Sequence, residues 1–188
     1  MGTNATDSYL ISVTVRTNGF AGGGSGARLG NTWFIENCVF LDNASNGVVV
    51  ADHCTIQETK ALRNRNGIYA MNDCRIVGCT ASLNMKGILA LDHCTIRDCL
   101  VANNTSTGIE VGQSCRVIDN NCANNSFGST GAGIALTYNG NRVEGNTLAR
   151  NGYGVYTHSW CSKNLIIGNN ATENTYGNYY LGGDERAG

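Results

Sequence analysis

A short pattern of alternating apolar and other positions recurs along most of the chain. The segments NGVVVADHCTI, NGIYAMNDCRI, KGILALDHCTI and TGIEVGQSCRV begin at Asn46, Asn66, Lys86 and Thr107. Each contains a Gly, a branched apolar residue directly after it, a Cys seven positions after the Gly, and an Ile or Val two positions beyond the Cys. Apolar residues spaced by two follow the strand period, so each segment predicts short strands rather than a helix.

The last apolar residue of each segment sets the length of the repeat. This residue recurs every 20 to 26 positions, at Ile35, Ile56, Ile76, Ile96, Val117, Val143 and Ile166. Eight positions after each of them stands an Asn: Asn43, Asn64, Asn84, Asn104, Asn125, Asn151 and Asn174. Stacked coils place equivalent residues about 4.8 Å apart, and Asn tolerates a sharp turn and bonds to Asn above and below. We therefore predict a structural Asn ladder along a solenoid.

The repeat predicts an all-β fold and resembles a known architecture. A leucine-rich repeat would need a Leu framework, a left-handed β-helix a strict six-residue unit, and an ice-binding solenoid a Thr ladder, and none of these is present. The Gly-Ile-x-Ala/Val strands and the ladder Asn resemble the right-handed parallel β-helix of the pectate-lyase-like superfamily. The repeat predicts about seven coils of 20–26 residues, and the resemblance implies no single activity. We expect one domain over 1–188, with coils at 9–181 and flexible ends at 1–8 and 182–188.

Composition and charge narrow the partners. The chain has 188 residues, 13 basic and 14 acidic ones, and a net charge of −1, which disfavours nucleic acid and anionic lipid. No apolar run reaches the length of roughly 20 residues that spans a membrane. The polar N-terminus shows no secretion signal, which fits a mature form with an added start codon, a cytoplasmic chain or a fragment. We favour the first or third, and expect an extracellular or cell-surface location.

The nine cysteines fall into repeat columns rather than metal-site spacings. Cys54, Cys74, Cys94 and Cys115 form one column two positions before the Ile or Val that defines the repeat. Stacked Cys do not have disulfide geometry, and ligands in a line do not form a tetrahedral site. We predict buried, free thiols, no resident metal and no cofactor.

Outward-facing columns hold the candidate binding residues. Val49, Tyr69, Leu89, Met71 and Leu91 form an apolar patch of the kind that often becomes an interface. The aromatic residues that could stack on sugar rings are Tyr69, Tyr156 and, in a long turn, Phe127.

One turn carries the ionisable candidates. His53, Asp73 and His93 form one column, in which Asp73 would lie between two imidazoles and could tune a general base. Asp52 and Asp92, with Asn72 between them, form the neighbouring column, so Asp52, Asp73 and Asp92 are weak candidates for a cation site. The alternative is an Asp-rich turn that bonds to backbone amides. Glu110 and Glu144 have no evident partner in the sequence.

Three functions follow from these observations. The first is a non-catalytic module that binds, or is displayed on, extracellular polysaccharide. The second is a structural solenoid that assembles through end coils, since Tyr9–Val15 and Asn178–Leu181 are both strand-like and no cap is evident, or through the apolar patch. The third is a polysaccharide lyase, epimerase or hydrolase that uses His53, Asp73 and His93. The sequence ranks them in this order.

Overall fold

Short strands joined by tight corners make up the structure. The computed structural model describes residues 8–19, 23–126, 131–183 and 186–187. In chain order the described strands are β1 (Ser8–Ile11), β2 (Thr14–Arg16), β3 (Ala27–Leu29), β4 (Trp33–Glu36), β5 (Val39–Leu41), β6 (Asn46–Val50), β7 (Thr55–Gln57), β8 (Lys60–Leu62), β9 (Asn66–Ala70), β10 (Arg75–Val77), β11 (Thr80–Ser82), β12 (Lys86–Ala90), β13 (Thr95–Arg97), β14 (Leu100–Ala102), β15 (Ile109–Val111), β16 (Arg116–Ile118), β17 (Asn121–Ala123), β18 (Ala132–Leu136), β19 (Arg142–Glu144), β20 (Thr147–Ala149), β21 (Tyr153–Thr157), β22 (Leu165–Ile167), β23 (Asn170–Thr172), β24 (Gly177–Tyr180) and β25 (Arg186–Ala187).

Every third strand joins the same parallel sheet. The first sheet contains β1, β4, β7, β10, β13, β16, β19, β22 and β25; the second contains β2, β5, β8, β11, β14, β17, β20 and β23; the third contains β3, β6, β9, β12, β15, β18, β21 and β24. No helix occurs among the residues that the structure describes. The predicted right-handed parallel β-helix is confirmed.

The register of the first sheet follows the repeat found in the sequence. Ile56 pairs with Ile35 on one side and Ile76 on the other, and the pairing continues through Ile96, Val117, Val143 and Ile166. Leu10 pairs with Ile35 in the same column, so the structure has about eight coils rather than seven. This position was not counted because no Gly followed by an apolar residue precedes Leu10 in the sequence.

Stacked aliphatic side chains fill the interior. The side chains of Ile56, Ile76 and Ile96 are fully buried in the core, and burial of each such side chain contributes about 1.5–3 kcal/mol. The repeat Gly is required because coils approach closely beside the Asn column: a Cβ on Gly67 would lie 2.6 Å from the carbonyl oxygen of Gly87. The helix is therefore a stiff scaffold for its outward side chains.

The ends of the predicted domain lie largely outside the described residues. Residues 1–7 are not described, strand β1 begins at Ser8, and β25 adds Arg186–Ala187 to the first sheet. The flexible segments expected at 1–8 and 182–188, like the single-domain boundaries, stay predictions.

Candidate functional site

The ladder Asn side chains lie at the corner between the second and third sheets. The backbone N–H of each donates to Oδ1 of the next along the column, over 2.8–3.2 Å between Asn43 and Asn174. The side-chain amide of Asn104 donates in turn to the Ala81 carbonyl of the preceding coil, at 3.0 Å. Asn18 extends the column, since its N–H donates to Asn43 Oδ1 at 3.2 Å. These side chains are engaged in holding coils together.

The predicted His and Asp column lies at the corner between the third and first sheets. His53, Asp73 and His93 have φ values of 60°, 55° and 58°, in the left-handed region that Asn, Asp and His tolerate best among non-Gly residues. Within this column His53 Nε2 comes to 3.8 Å of Asp73 Oδ2, and both side chains are about half exposed or more. An ion pair between Asp73 and His93 is not formed. The predicted role of this column in catalysis stays a prediction.

The neighbouring Asp column is engaged with the backbone. Asp52 Oδ1 accepts the N–H of Asn72 at 3.0 Å, and Asp92 Oδ1 accepts the N–H of Gln113 at 3.0 Å. Asn72 Nδ2 also donates to Asp52, at 3.2 Å. The carboxylates therefore satisfy turn amides, which is one of the two interpretations that the sequence left open.

The apolar patch lies in the first half of the third sheet. Val49, Tyr69 and Leu89 pair in register on adjacent strands, with Met71 and Leu91 at the following positions. Val49 is buried, and the other four are half-buried. Association through this patch or through end coils stays a prediction.

A groove of about 680 Å³ lies over the later coils of the same sheet. The groove exists because side-chain size changes along the outward column that holds Tyr69 and Leu89. The column continues with the long side chain of Glu110, then the small one of Ala135, and then the large one of Tyr156. Thr107, Gly131 and Ala132 also line it. These small residues make a floor between two raised ends.

An ion pair forms one end of the groove. Lys86 Nζ lies 2.8 Å from Oε1 and 2.7 Å from Oε2 of Glu110, on the adjacent strand. The side chains are only 25 % and 20 % exposed, so water screens the pair less than an ordinary surface ion pair. The expectation that Glu110 has no partner was wrong, as was that for Glu144, which accepts from Arg142 at 2.7 Å. Both partners lie outside the columns compared in the sequence.

Aromatic side chains form the other end. Tyr156 stacks on Tyr180 with ring centroids 5.0 Å apart and planes 9° apart, and Tyr153 contacts both rings at 5.5 Å. The His158 ring meets the edge of Tyr156 at 5.1 Å and stacks on Trp160 at 4.4 Å. The aromatic wall therefore continues from the groove into the following corner.

The sequence identified only part of this site. Tyr156 lies in the groove. Tyr69 lies in the same column two coils before Glu110 and does not line the groove. Phe127 lies outside the described residues. The facing pair of Lys86 and Glu110 was missed; the signal available was a Lys and a Glu at outward positions of consecutive third-sheet strands.

Comparisons with known proteins decide the family. The family model described as "Periplasmic copper-binding protein (NosD)" matches residues 31–187. The chain belongs to the NosD family. Among curated proteins, none matches it.

Solved structures similar to this NosD-family chain share its fold. The A-module of mannuronan C-5 epimerase AlgE6 from Azotobacter vinelandii aligns with a TM-score of 0.80 and 17 % identity, over 97 % of this chain and 57 % of that one. An alginate lyase from Paenibacillus sp. aligns with a TM-score of 0.66 and 15 % identity, over 88 % of this chain and 70 % of that one. The Dettilon tailspike protein aligns at 0.65 and 16 %, over 87 % and 42 %. The chain thus spans just over half of the epimerase module, and the likeness shows the fold alone.

The copper in the family description does not fit the described residues. They contain no group of three or more His, Cys, Asp or Glu side chains placed to share a metal ion. The nine cysteines are buried, as predicted. Those in the Cys54 column are hydrogen-bonded: Cys74, Cys94 and Cys115 donate to carbonyl oxygens of the preceding coil at 2.9–3.0 Å.

Thiol ionisation is also opposed at Cys54 and Cys94 of this column, whereas the hydrogen bond with Cys94 lowers the pKa of Cys115. A hydrogen bond with the Cys115 thiol and then burial raise the pKa of Cys94 to about 12, and a hydrogen bond with Cys74 and burial raise the pKa of Cys54 well above its ordinary value. A thiol must lose its proton to bind a metal. Cys54 and Cys94 are therefore poorly suited to bind copper.

Proposed function

We propose that this NosD-family chain is a non-catalytic polysaccharide-binding β-helix whose binding site is the groove over the third sheet. The observation that carries the proposal is the aromatic wall of Tyr153, Tyr156 and Tyr180, which faces the Lys86–Glu110 pair across a floor of small residues. Tyrosine presents an apolar face and a polar edge, which suits the alternating C–H and hydroxyl surfaces of a pyranose ring.

The dimensions of the groove support a chain-like ligand. Its volume of about 680 Å³ lies within the usual range of ligand sites, roughly 300–1,000 Å³. The groove runs across consecutive coils, from strand β12 to β24, so an extended ligand can lie along the helix axis. The proteins of similar fold include a mannuronan C-5 epimerase and an alginate lyase, which supports a polysaccharide rather than a compact metabolite.

The same comparisons support a location outside the cytoplasm. The family description names a periplasmic protein, and one similar structure is titled a periplasmic alginate epimerase. We propose that the chain acts in the periplasm or at the cell surface. Among the described residues no helix is long and apolar enough to cross a membrane.

A matched pair of tyrosine variants tests the site. Tyr69 and Tyr156 occupy the same outward column of the same sheet, but only Tyr156 lines the groove. In affinity electrophoresis and glycan-array binding, Tyr156→Ala should lower affinity about ten-fold or more, since loss of an aromatic contact in a ligand site is a large effect, while Tyr69→Ala should bind like the parent protein. Absence of glycan retention at millimolar concentration, or equal losses in both variants, would contradict the proposal.

An enzymatic role is the second candidate. The observation that favours it is the His53–Asp73 pair at 3.8 Å, on a fold whose similar structures include an epimerase and a lyase. This corner does not line the groove. Turnover of a glycan that Asp73→Asn abolishes, with glycan binding unchanged, would support chemistry there; turnover that this variant leaves intact would remove the site.

A further inference from the structure

We propose that the groove selects neutral glycans and excludes uronate polymers. Among the described lining residues, Lys86 is the one side chain with a fixed positive charge, and Glu110 in the same groove already neutralises it. This inference rests on the proposed function. Lys86 and Glu110 are the two formally charged groups of the lining at neutral pH, and their charges cancel. The groove therefore offers a polyanion no net attraction.

The geometry of the pair limits its use for a carboxylate ligand. Nζ of Lys86 contacts both carboxylate oxygens of Glu110, at 2.8 and 2.7 Å. A uronate carboxylate that approached Lys86 would also come close to the Glu110 carboxylate, and the like charges would repel in a partly buried place. Recognition of successive uronates needs unpaired cations. Arg65, whose carbonyl accepts the Lys86 N–H from the preceding coil, does not line the groove.

The same pair suits vicinal hydroxyl groups. A Lys ammonium only donates hydrogen bonds and an ionised Glu carboxylate only accepts them, whereas a sugar hydroxyl does both. One hydroxyl can accept from Lys86 while its neighbour donates to Glu110, and bonds to charged groups are stronger than neutral ones. The ion pair is then a hydroxyl-recognition element opposite the aromatic wall.

The remaining lining residues agree with a neutral ligand. Thr107, Thr137 and the tyrosine hydroxyls offer uncharged polar groups, and Ala132 and Ala135 leave the floor open. Tyr153, Tyr156 and Tyr180 provide apolar ring faces. Neutral hexopyranoses present both apolar C–H faces and rows of hydroxyls, so they complement both ends of the groove.

A panel of hexasaccharides of matched length tests the charge preference. Cellohexaose, mannohexaose and xylohexaose are compared with hexamannuronate and hexagalacturonate by calorimetry and affinity electrophoresis. We expect a neutral hexamer to bind about ten-fold more tightly than either uronate, with an affinity that hardly changes between about 20 and about 300 mM NaCl, because net-charge attraction plays no part in it. Tyr156→Ala should lower this affinity about ten-fold or more.

One substitution should reverse the preference. Glu110→Gln frees Lys86, so uronate affinity should rise about ten-fold at low salt and become salt-sensitive, while the neutral hexamer binds more weakly. Glu144→Gln is the matched control, since it frees Arg142 from a 2.7 Å ion pair on the first sheet, away from the groove, and should alter no Tyr156-dependent binding. The double variant Lys86→Gln/Glu110→Gln should gain no uronate binding.

The outcomes separate this inference from the proposed function. Uronate binding to the parent protein that is tighter than neutral binding, and that Tyr156→Ala removes, would overturn the neutral preference and keep the groove as a glycan site. An unchanged uronate affinity in Glu110→Gln would also overturn it. Failure of both classes of hexasaccharide to bind would overturn the proposed function together with the inference.

Discussion

The two halves of the β-helix place different side chains at equivalent corners between sheets. At the corner between the third and first sheets, the early coils place Cys54, Cys74, Cys94 and Cys115 in one column, and the later coils place Asn141 and Asn164 in that column. The N–H of Cys94 donates to Cys115 Sγ at 3.4 Å, whereas the N–H of Cys115 donates to Asn141 Oδ1 at 2.8 Å.

The corner between the first and second sheets shows the same change. Cys38 donates its N–H to Thr59 Oγ1 at 3.3 Å, and further along Asn120 donates its N–H to Asn146 Oδ1 at 2.9 Å. The position requires a small side chain that accepts one N–H and donates to one carbonyl. Thiol and amide both do this, and the amide oxygen accepts the N–H over a shorter distance than the sulfur of Cys115 does. Cysteine here is a weaker substitute for asparagine, not a reactive group.

The largest expected effect is the loss of a ladder amide, compared with the loss of a thiol from the same coil in a second variant. Asn104 and Cys94 belong to the same coil and are both buried. Asn104→Ala removes the acceptor of the Asn84 N–H and a donor to the Ala81 carbonyl and should lower the free energy of unfolding by about 4 kcal/mol. Cys94→Ala loses a weaker bond to the Met71 carbonyl and should cost about 1–2 kcal/mol. Urea unfolding of both variants measures the difference; equal costs would refute the comparison.

The next largest effect is expected when Asn replaces Cys at two different positions of one coil. Cys115 occupies the corner column, and Cys122, in the same coil, occupies the aliphatic column between Val101 and Leu148. Cys115→Asn should change the free energy of unfolding by less than about 1 kcal/mol, because the new amide can bond to the Leu91 carbonyl as the thiol does. Cys122→Asn should cost about 3 kcal/mol, because the Cys122 thiol makes no hydrogen bond to another described residue and the amide would be buried without one. A similar cost at both sites would show that Asn cannot replace Cys at this corner.

The buried thiols should make the fold sensitive to alkali. The folded protein keeps Cys94 protonated, with a pKa raised to about 12 by its bond with Cys115 and by burial, whereas an unfolded Cys ionises near pH 8.5. Below that pH the contribution of the protonated thiol to the free energy of unfolding is fully present. This contribution falls as the pH rises toward 12, by about 1.4 kcal/mol per pH unit for each such thiol. Denaturant titrations from neutral pH upward measure the slope, which the double variant Cys54→Ala/Cys94→Ala should reduce. An equal slope in that variant would assign it to other groups.

The smallest effect is expected at the exposed His and Asp corner. Asp73→Asn should change the free energy of unfolding by less than about 0.5 kcal/mol, because its contact with His53 is long and both side chains are well exposed. His53→Ala is the matching variant on the other side of the pair. Thermal melts of both compare directly with the buried corners; a loss above 1 kcal/mol would show that this corner holds the early coils together.

Columns of identical residues made the fold predictable, and their breaks hid the site. Seven equivalent Asn and seven equivalent Ile or Val predict the register of the strands, because a parallel stack brings like residues into contact. Leu10 and Asn18 were missed because no Gly followed by an apolar residue precedes Leu10 in the sequence. The groove could not be read from single columns, since it depends on Ala135 being small between Glu110 and Tyr156 and on a diagonal bond from Lys86. Tyr156 was found because outward aromatics are visible in the repeat itself.

The alternation of inward and outward side chains separates two tasks that most domains must combine. Ile134 is buried while Ala135, the next residue of the same strand, forms part of the groove floor. Each outer rung can therefore change bulk or charge while the spine behind it stays the same. A family built on this plan can acquire, deepen or erase a ligand surface coil by coil, with little cost to folding.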